Sequence, residues 1–140
     1  MPSPAHQWLL LWAARRMEAD GFVLGGFEGP ATQGGLRNAL PLPFSLRGTR
    51  PDAWGLHQKH PLIGFAEAKT VRDVDTQHTR RQLRVFGATK MKNSGNRCPL
   101  YIAVPQSAAY ALDKVLIDIG LLRAANVVRL HIPDILLKAS

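Results

Sequence analysis

Apolar residues recur at helical spacing near the start of the chain, where Trp8, Leu9, Leu11 and Trp12 share a stripe. Ser3-Pro4 offers a side-chain N-cap and a proline at the first helical position, and Gly21 suits the left-handed residue that follows a helix. The spacing predicts a helix over Pro4–Asp20 and a strand from Phe22 to Leu24. Gly25 to Thr49 is rich in Gly, Pro and polar residues and reads as a long loop or an extended hairpin, a length that is often functional. A short strand over Pro51–His57 follows. The run Leu62 to Thr70 is the strongest strand in the sequence. Its small side, Leu62, Gly64, Ala66 and Ala68, would let a helix pack close, while Ile63, Phe65, Glu67 and Lys69 alternate on the other side.

Asp75-Thr76 caps a second predicted helix, roughly Thr76 to Lys92, with Leu83, Phe86 and Met91 as its apolar stripe. Leu100–Val104 is an apolar strand of the buried type. Ser107 is the expected cap of a third helix carrying Leu112, Val115, Leu116, Ile119 and Leu122 on one face. Val127–Ile132 is a last strand, and the tail after Pro133 is expected to add a helical turn. This α-β-β-β-α-β-α-β order predicts an α/β domain, a mixed sheet with helices on both faces, over residues 1–140.

Composition narrows the function classes. With 140 residues and 46% hydrophobic content, the chain is long enough for one ordinary core and too apolar for wholesale disorder. It has no uncharged apolar run of membrane-spanning length, and Trp8–Ala14 is followed rather than preceded by arginines, unlike a signal peptide. The single cysteine, Cys98, excludes an internal disulfide and a cysteine zinc cluster. An intracellular, cytoplasmic location is the expectation. The 18 Lys+Arg against 10 Asp+Glu leave a net charge of +8, which points to a polyanion such as nucleic acid.

Three charged residues stand where charge is expensive. Glu67 and Lys69 share one face of an otherwise apolar strand, and Asp52 follows Pro51 in the strand before it. Two carboxylates and a lysine from adjacent strands suit Mg²⁺ or Mn²⁺, which take hard oxygen ligands. Asp52 and Glu67 would supply carboxylate oxygens and Ala68 its carbonyl. Lys69 would orient the attacking water or offset charge building on phosphate.

Pro51-Asp52 followed by Glu67-Ala68-Lys69 resembles the motif of the PD-(D/E)XK nuclease superfamily. The αβββαβ order is similar to that family's core. Gln82-Leu-Arg-Val-Phe86 resembles the Q-x-x-x-(Y/F) element of its RecB-like branch, where the glutamine lies beside the active site and the aromatic packs beneath it. The likeness runs from Pro4 to Val104 and extends to small junction-resolvase and phage-type nucleases. It implies a restriction-endonuclease-like fold and a metal-dependent DNA endonuclease, with Asp52, Glu67, Lys69 and Gln82 at the catalytic centre. Many relatives carry a glutamate on the first helix. Here that helix holds only Glu18, near its end, while His6 and Gln7 occupy the early turn.

Glu28, Gln7 and Gln77 are further site candidates. His57, His60 and His78 lack zinc-ligand spacing, and Asp73 and Asp75 suit helix-start roles. Arg37, Arg47, Arg50, Arg80, Arg81 and Arg84 are expected to meet DNA phosphates. A homodimer through the third helix and last strand is consistent with nucleases that cut both strands. Two other readings remain: a nuclease fold kept for nucleic-acid binding without chemistry, and a basic subunit that meets an acidic protein.

Overall fold

The computed structural model describes residues 3–28 and 43–137. Helix α1 spans Pro4–Ala19, and the Ser3 side chain accepts the His6 backbone N–H as its cap. Gly21 takes φ 100° and turns the chain into strand β1, Phe22–Phe27. Strands β2, Ala53–His57, and β3, Ile63–Ala68, follow. A single-turn helix α2, Val71–Val74, precedes helix α3, Gln77–Ala88. Strand β4 is Leu100–Pro105, helix α4 is Ala109–Asp118 and strand β5 is Val127–Ile132. The expected turn after Pro133 is a 3₁₀ segment, Asp134–Leu137.

The sheet has five strands in the order β1-β2-β3-β4-β5. The first three are antiparallel neighbours, whereas β3, β4 and β5 run parallel. This is the mixed α/β architecture that the element order predicts. Helix α1 covers one face, where Leu9, Leu10, Ala13 and Met17 meet Ala66, Ala68, Tyr101 and Ala103. The small side of β3 therefore receives the helix, as its sequence suggests. On the opposite face Leu83 and Phe86 of α3 and Leu112, Val115 and Leu116 of α4 pack with Phe65, Leu100, Ile102 and Val104. Covered on both faces, β4 is buried along its whole length, which explains its unbroken apolar sequence.

Several boundaries differ from the sequence expectation, each for a local reason. Strand β1 runs on through Gly25-Gly26 to Phe27, with a register irregularity between Leu24 and Gly26 where the Trp54 indole lies over the two glycines. Helix α3 stops short of Lys92. Thr89 turns to an extended conformation and its hydroxyl donates to the Val85 carbonyl, and Lys90 pairs with Arg97 across a turn. Ser107 does not cap α4. It lies in a 3₁₀ turn, Gln106–Ala108, and its N–H and hydroxyl both donate to Asp134. Ile119 and Leu122 lie beyond the end of α4 yet still pack on its core.

The β2–β3 turn is fixed by His57. Its Nε2 donates to the Asp20 carbonyl, and its Nδ1 accepts the Lys59 and His60 N–H groups. At the opposite edge Asn126 Nδ2 donates to the Gly87 and Cys98 carbonyls, both at 3.0 Å, joining the end of α3 to the approach to β4. Asn126→Ala is expected to leave both carbonyls short of a partner and to cost about 1–3 kcal/mol in urea unfolding. A loss below about 0.5 kcal/mol would show that water replaces the amide.

Candidate functional site

The β-sheet register builds the site. The β2–β3 ladder ends with Ala53 paired to Ala66, and the Asp52 N–H donates to that same Ala66 carbonyl, which seats Asp52 at the strand end beside Glu67, close enough for the two carboxyls to interact. Phe27 pairs with Ala53, and the Glu28 N–H donates to the Asp52 carbonyl, which continues that pairing by one residue. Glu28, Asp52 and Glu67 thus stand in one row across β1, β2 and β3. Carboxylates gathered this closely repel one another, and the Asp52 charge acts on Glu67 in that sense.

Each acid in the row has a different environment. Glu28 is half-buried and forms an ion pair with Arg50 at 3.0 Å. Asp52 Oδ2 accepts the Ala68 N–H at 2.9 Å and the His6 Nε2 proton at 3.2 Å. Burial pushes the Asp52 carboxyl up, but the hydrogen bond and charge of His6, with help from the Ala68 N–H, hold it below its ordinary value. Asp52 in turn raises the His6 imidazole above its ordinary value, against the effect of burial. Glu67 is completely buried, and neither of its carboxylate oxygens has a hydrogen-bond partner. Burial first, and the Asp52 charge second, push its carboxyl well above the ordinary range.

Lys69 stands two residues beyond Glu67 on the same face of the strand. Its Nζ lies 3.9 Å from Glu67 Oε2 and donates to Gln82 Oε1 on α3. Phe86, one turn on from Gln82, packs against Phe65 with ring centroids 5.5 Å apart. Asp52, Glu67, Lys69 and Gln82 are therefore brought together from three elements. Beside them opens a cavity of about 400 Å³ lined by Ser3, His6, Glu28, Asp52, Thr70, Arg72 and Asp73.

The donor set suits a hard divalent cation. Two neighbouring carboxylates, one of them buried without a partner, are what such an ion would relieve. The Ala68 carbonyl points to the same side as its N–H, toward Asp52, because the two groups of one strand residue share a side. Among the described residues no group of three or more His, Cys, Asp or Glu side chains is arranged as a ready metal cage. Magnesium needs few protein ligands, since it keeps several waters.

Two members of the site are absent from the motif reading or only touched by it. His6 occupies the early turn of α1 where an acid was sought, and it grips Asp52. Arg72 reaches the cavity from α2, a one-turn helix with no periodic signal in the sequence. Gln77 is exposed, and the side-chain partners of Asp52 are His6 and Ala68 rather than Gln7. Arg80 is tied to Asp75 and Asp118 at 2.9 and 2.8 Å, and Arg50 to Glu28, whereas Arg47, Arg81 and Arg84 are exposed. Arg37 lies outside the described residues. Among the described residues no helix is long and apolar enough to cross a membrane.

No family model matches the chain. No curated protein matches it. Among solved structures it is similar to a repair endonuclease from Pyrococcus abyssi, at 17% identity and a TM-score of 0.46, over 95% of this chain and 48% of that one. The chain thus spans about half the length of that protein.

The raised Glu67 carboxyl has a thermodynamic consequence. The folded state holds this proton more tightly than the unfolded state, so its contribution is fully present below the ordinary value of 4.5 and is lost as pH rises above it. In chelator, Glu67→Gln is expected to be more stable than the parent at pH 7 and to lose that advantage toward pH 4. Thermal midpoints of the two proteins across that range test it, and parallel curves would show that Glu67 is satisfied in solution. Added Mg²⁺ should raise the parent's midpoint and leave the variant's unchanged.

Proposed function

We propose that the chain is a metal-dependent nuclease that hydrolyses DNA phosphodiester bonds, of the PD-(D/E)XK type its motif resembles. The observation that carries this reading is the buried, unpartnered Glu67 carboxylate set beside Asp52, with Lys69 alongside and held by Gln82.

Asp52 and Glu67, with the Ala68 carbonyl, would hold Mg²⁺ or Mn²⁺. Such an ion lowers the pKa of water and polarises a phosphoryl oxygen, which are the two needs of phosphodiester hydrolysis. The residues do the rest. Lys69, its ammonium fixed by Gln82, orients the attacking water and offsets charge gathering on the phosphate. Water oxygen bonds to phosphorus as its proton passes to solvent, the bond to the leaving oxygen breaks, and that oxygen takes up a proton from solvent. His6 keeps the Asp52 carboxylate ionised and turned toward Ala68. The arginines on the surface draw the polyanion toward a centre that is itself acidic.

One observation favours a second reading, a binding module without chemistry. His6 already occupies an oxygen that a metal would use, and no three-ligand cage exists among the described residues. Calorimetry separates the two. A nuclease takes up Mg²⁺ or Mn²⁺ in a way abolished by Asp52→Asn, whereas a module binds DNA equally well in chelator and shows no such uptake.

The direct test is a panel of labelled substrates, duplex, single strand, flap, four-way junction and RNA, incubated with Mg²⁺ or Mn²⁺. Cleavage of at least one DNA form is expected to require the ion and to fall about 100-fold or more in Lys69→Ala and Glu67→Gln. Failure to cut any member with either metal would overturn the nuclease reading.

A further inference from the structure

Counting charge partners separates the arginines into two groups. Arg16, Arg50, Arg80 and Arg129 are each spent on a carboxylate of the fold. Arg47 and Arg81 are exposed, and among the described residues neither has an ion pair. These two lie together in space although they are far apart in sequence. A methyl group placed on Gly48 would sit 3.7 Å from Arg81 Nη2, so the guanidinium of α3 lies against the tip of the turn that carries Arg47.

That turn is built with some strain. Leu46 and Thr49 exchange both backbone hydrogen bonds, at 2.6 and 3.0 Å, so only Arg47 and Gly48 form the tip. Both have left-handed φ angles, 51° and 79°. This two-residue turn favours Asn, Asp or Gly at its first position. Arg47 is the one non-glycine residue with positive φ among the described residues. Its exposed side chain recovers nothing by packing, and unfavourable backbone held at an exposed position is a mark of function. The turn is nevertheless firmly seated, because Leu46 packs on the α3–α4 core and Thr49 is buried.

Its place relative to the site follows from the chain. Thr49 is three residues before Asp52, a path of at most about 10 Å. Arg81 is next to Gln82, the residue that holds Lys69. Two guanidinium-bearing elements in contact, each close along the chain to a member of the catalytic cluster, make a cationic corner. Arginine matches phosphate through paired N–H donors.

We propose that Arg47 and Arg81 form a clamp on the phosphodiester backbone of DNA, gripping a phosphate beside the one presented to Asp52 and Glu67. This rests on the nuclease reading and adds how the strand is held. The contact positions the strand and reads no sequence, because it touches phosphate alone.

The test is fluorescence anisotropy of the full chain with labelled duplex DNA in chelator, so that no cleavage intervenes, over a series of salt concentrations. Arg47→Asn keeps a residue that tolerates left-handed φ, and Arg81→Gln keeps a good helix former. Each is expected to weaken binding roughly three- to tenfold near 0.1 M salt and to lower the salt slope by about one, with equal loss on duplexes of different sequence. The double variant should lose less than the product of the single losses, because one phosphate is shared. Thermal midpoints at or above the parent's would show that the fold is intact. Unchanged affinity and slope in both single variants would overturn the clamp, as would losses confined to one sequence or a parent that binds no DNA. The two readings fail separately. Cleavage lost only in Lys69→Ala keeps the nuclease without the clamp, and salt-steep binding lost in Arg47→Asn without any cleavage keeps the clamp without the nuclease.

Discussion

Two carboxylates side by side at the end of a strand pair repel, and Asp52 and Glu67 are held in this way. Much of the surrounding structure answers that repulsion. His6 and the Ala68 N–H hold the Asp52 charge in place. Glu67, shut away from water, takes up a proton more readily than a free glutamate. Lys69 stands 3.9 Å from it on the same face, and Arg50 neutralises Glu28 at the outer end of the row. A fold selected for stability alone would place apolar residues at Asp52 and Glu67, since buried unpaired charge costs several kcal/mol. Local conflict of this kind, inside an otherwise consistent sheet, is what makes this cluster the candidate site.

The core was legible because periodicity records burial. Small residues at Gly64, Ala66 and Ala68 announced the side on which α1 packs, and the unbroken run Leu100–Val104 announced a strand covered on both faces. The caps at Ser3 and Thr76 were equally plain, since each has one donor to satisfy. Helix ends were harder. Nothing in Thr89-Lys-Met-Lys92 forbids helix, and it is the Thr89 bend and the Lys90–Arg97 pairing that stop α3. Ser107 looked like a cap because the sequence does not show Asp134, which claims its N–H and hydroxyl from the far end of β5.

The same division holds for the site. Asp52, Glu67 and Lys69 stood out as charges in apolar strands, and Gln82 only through the resemblance of Gln82-Leu-Arg-Val-Phe86 to a family element. The row of Glu28, Asp52 and Glu67 was not visible, because it depends on the register of two strand pairs rather than on any local pattern. His6 carries no local sign of its partner, which lies 46 residues away. Arg72 sits on a four-residue helix, too short to have a period.

The His57 turn shows how distant a determinant of this site lies. By donating to Asp20 and accepting from Lys59 and His60, that imidazole sets where β2 ends and β3 begins. Asp52 lies five steps back along the chain from it, about 17 Å of strand. Side chains alternate faces with a period of two, so a slip of one residue at the turn would not weaken the acid row by degrees. It would send Asp52 and Glu67 to opposite faces of the sheet. The length of a surface loop thereby acts as an all-or-none setting for the acid row at the far end of the strands, and insertions there should be far less tolerated than its exposure suggests.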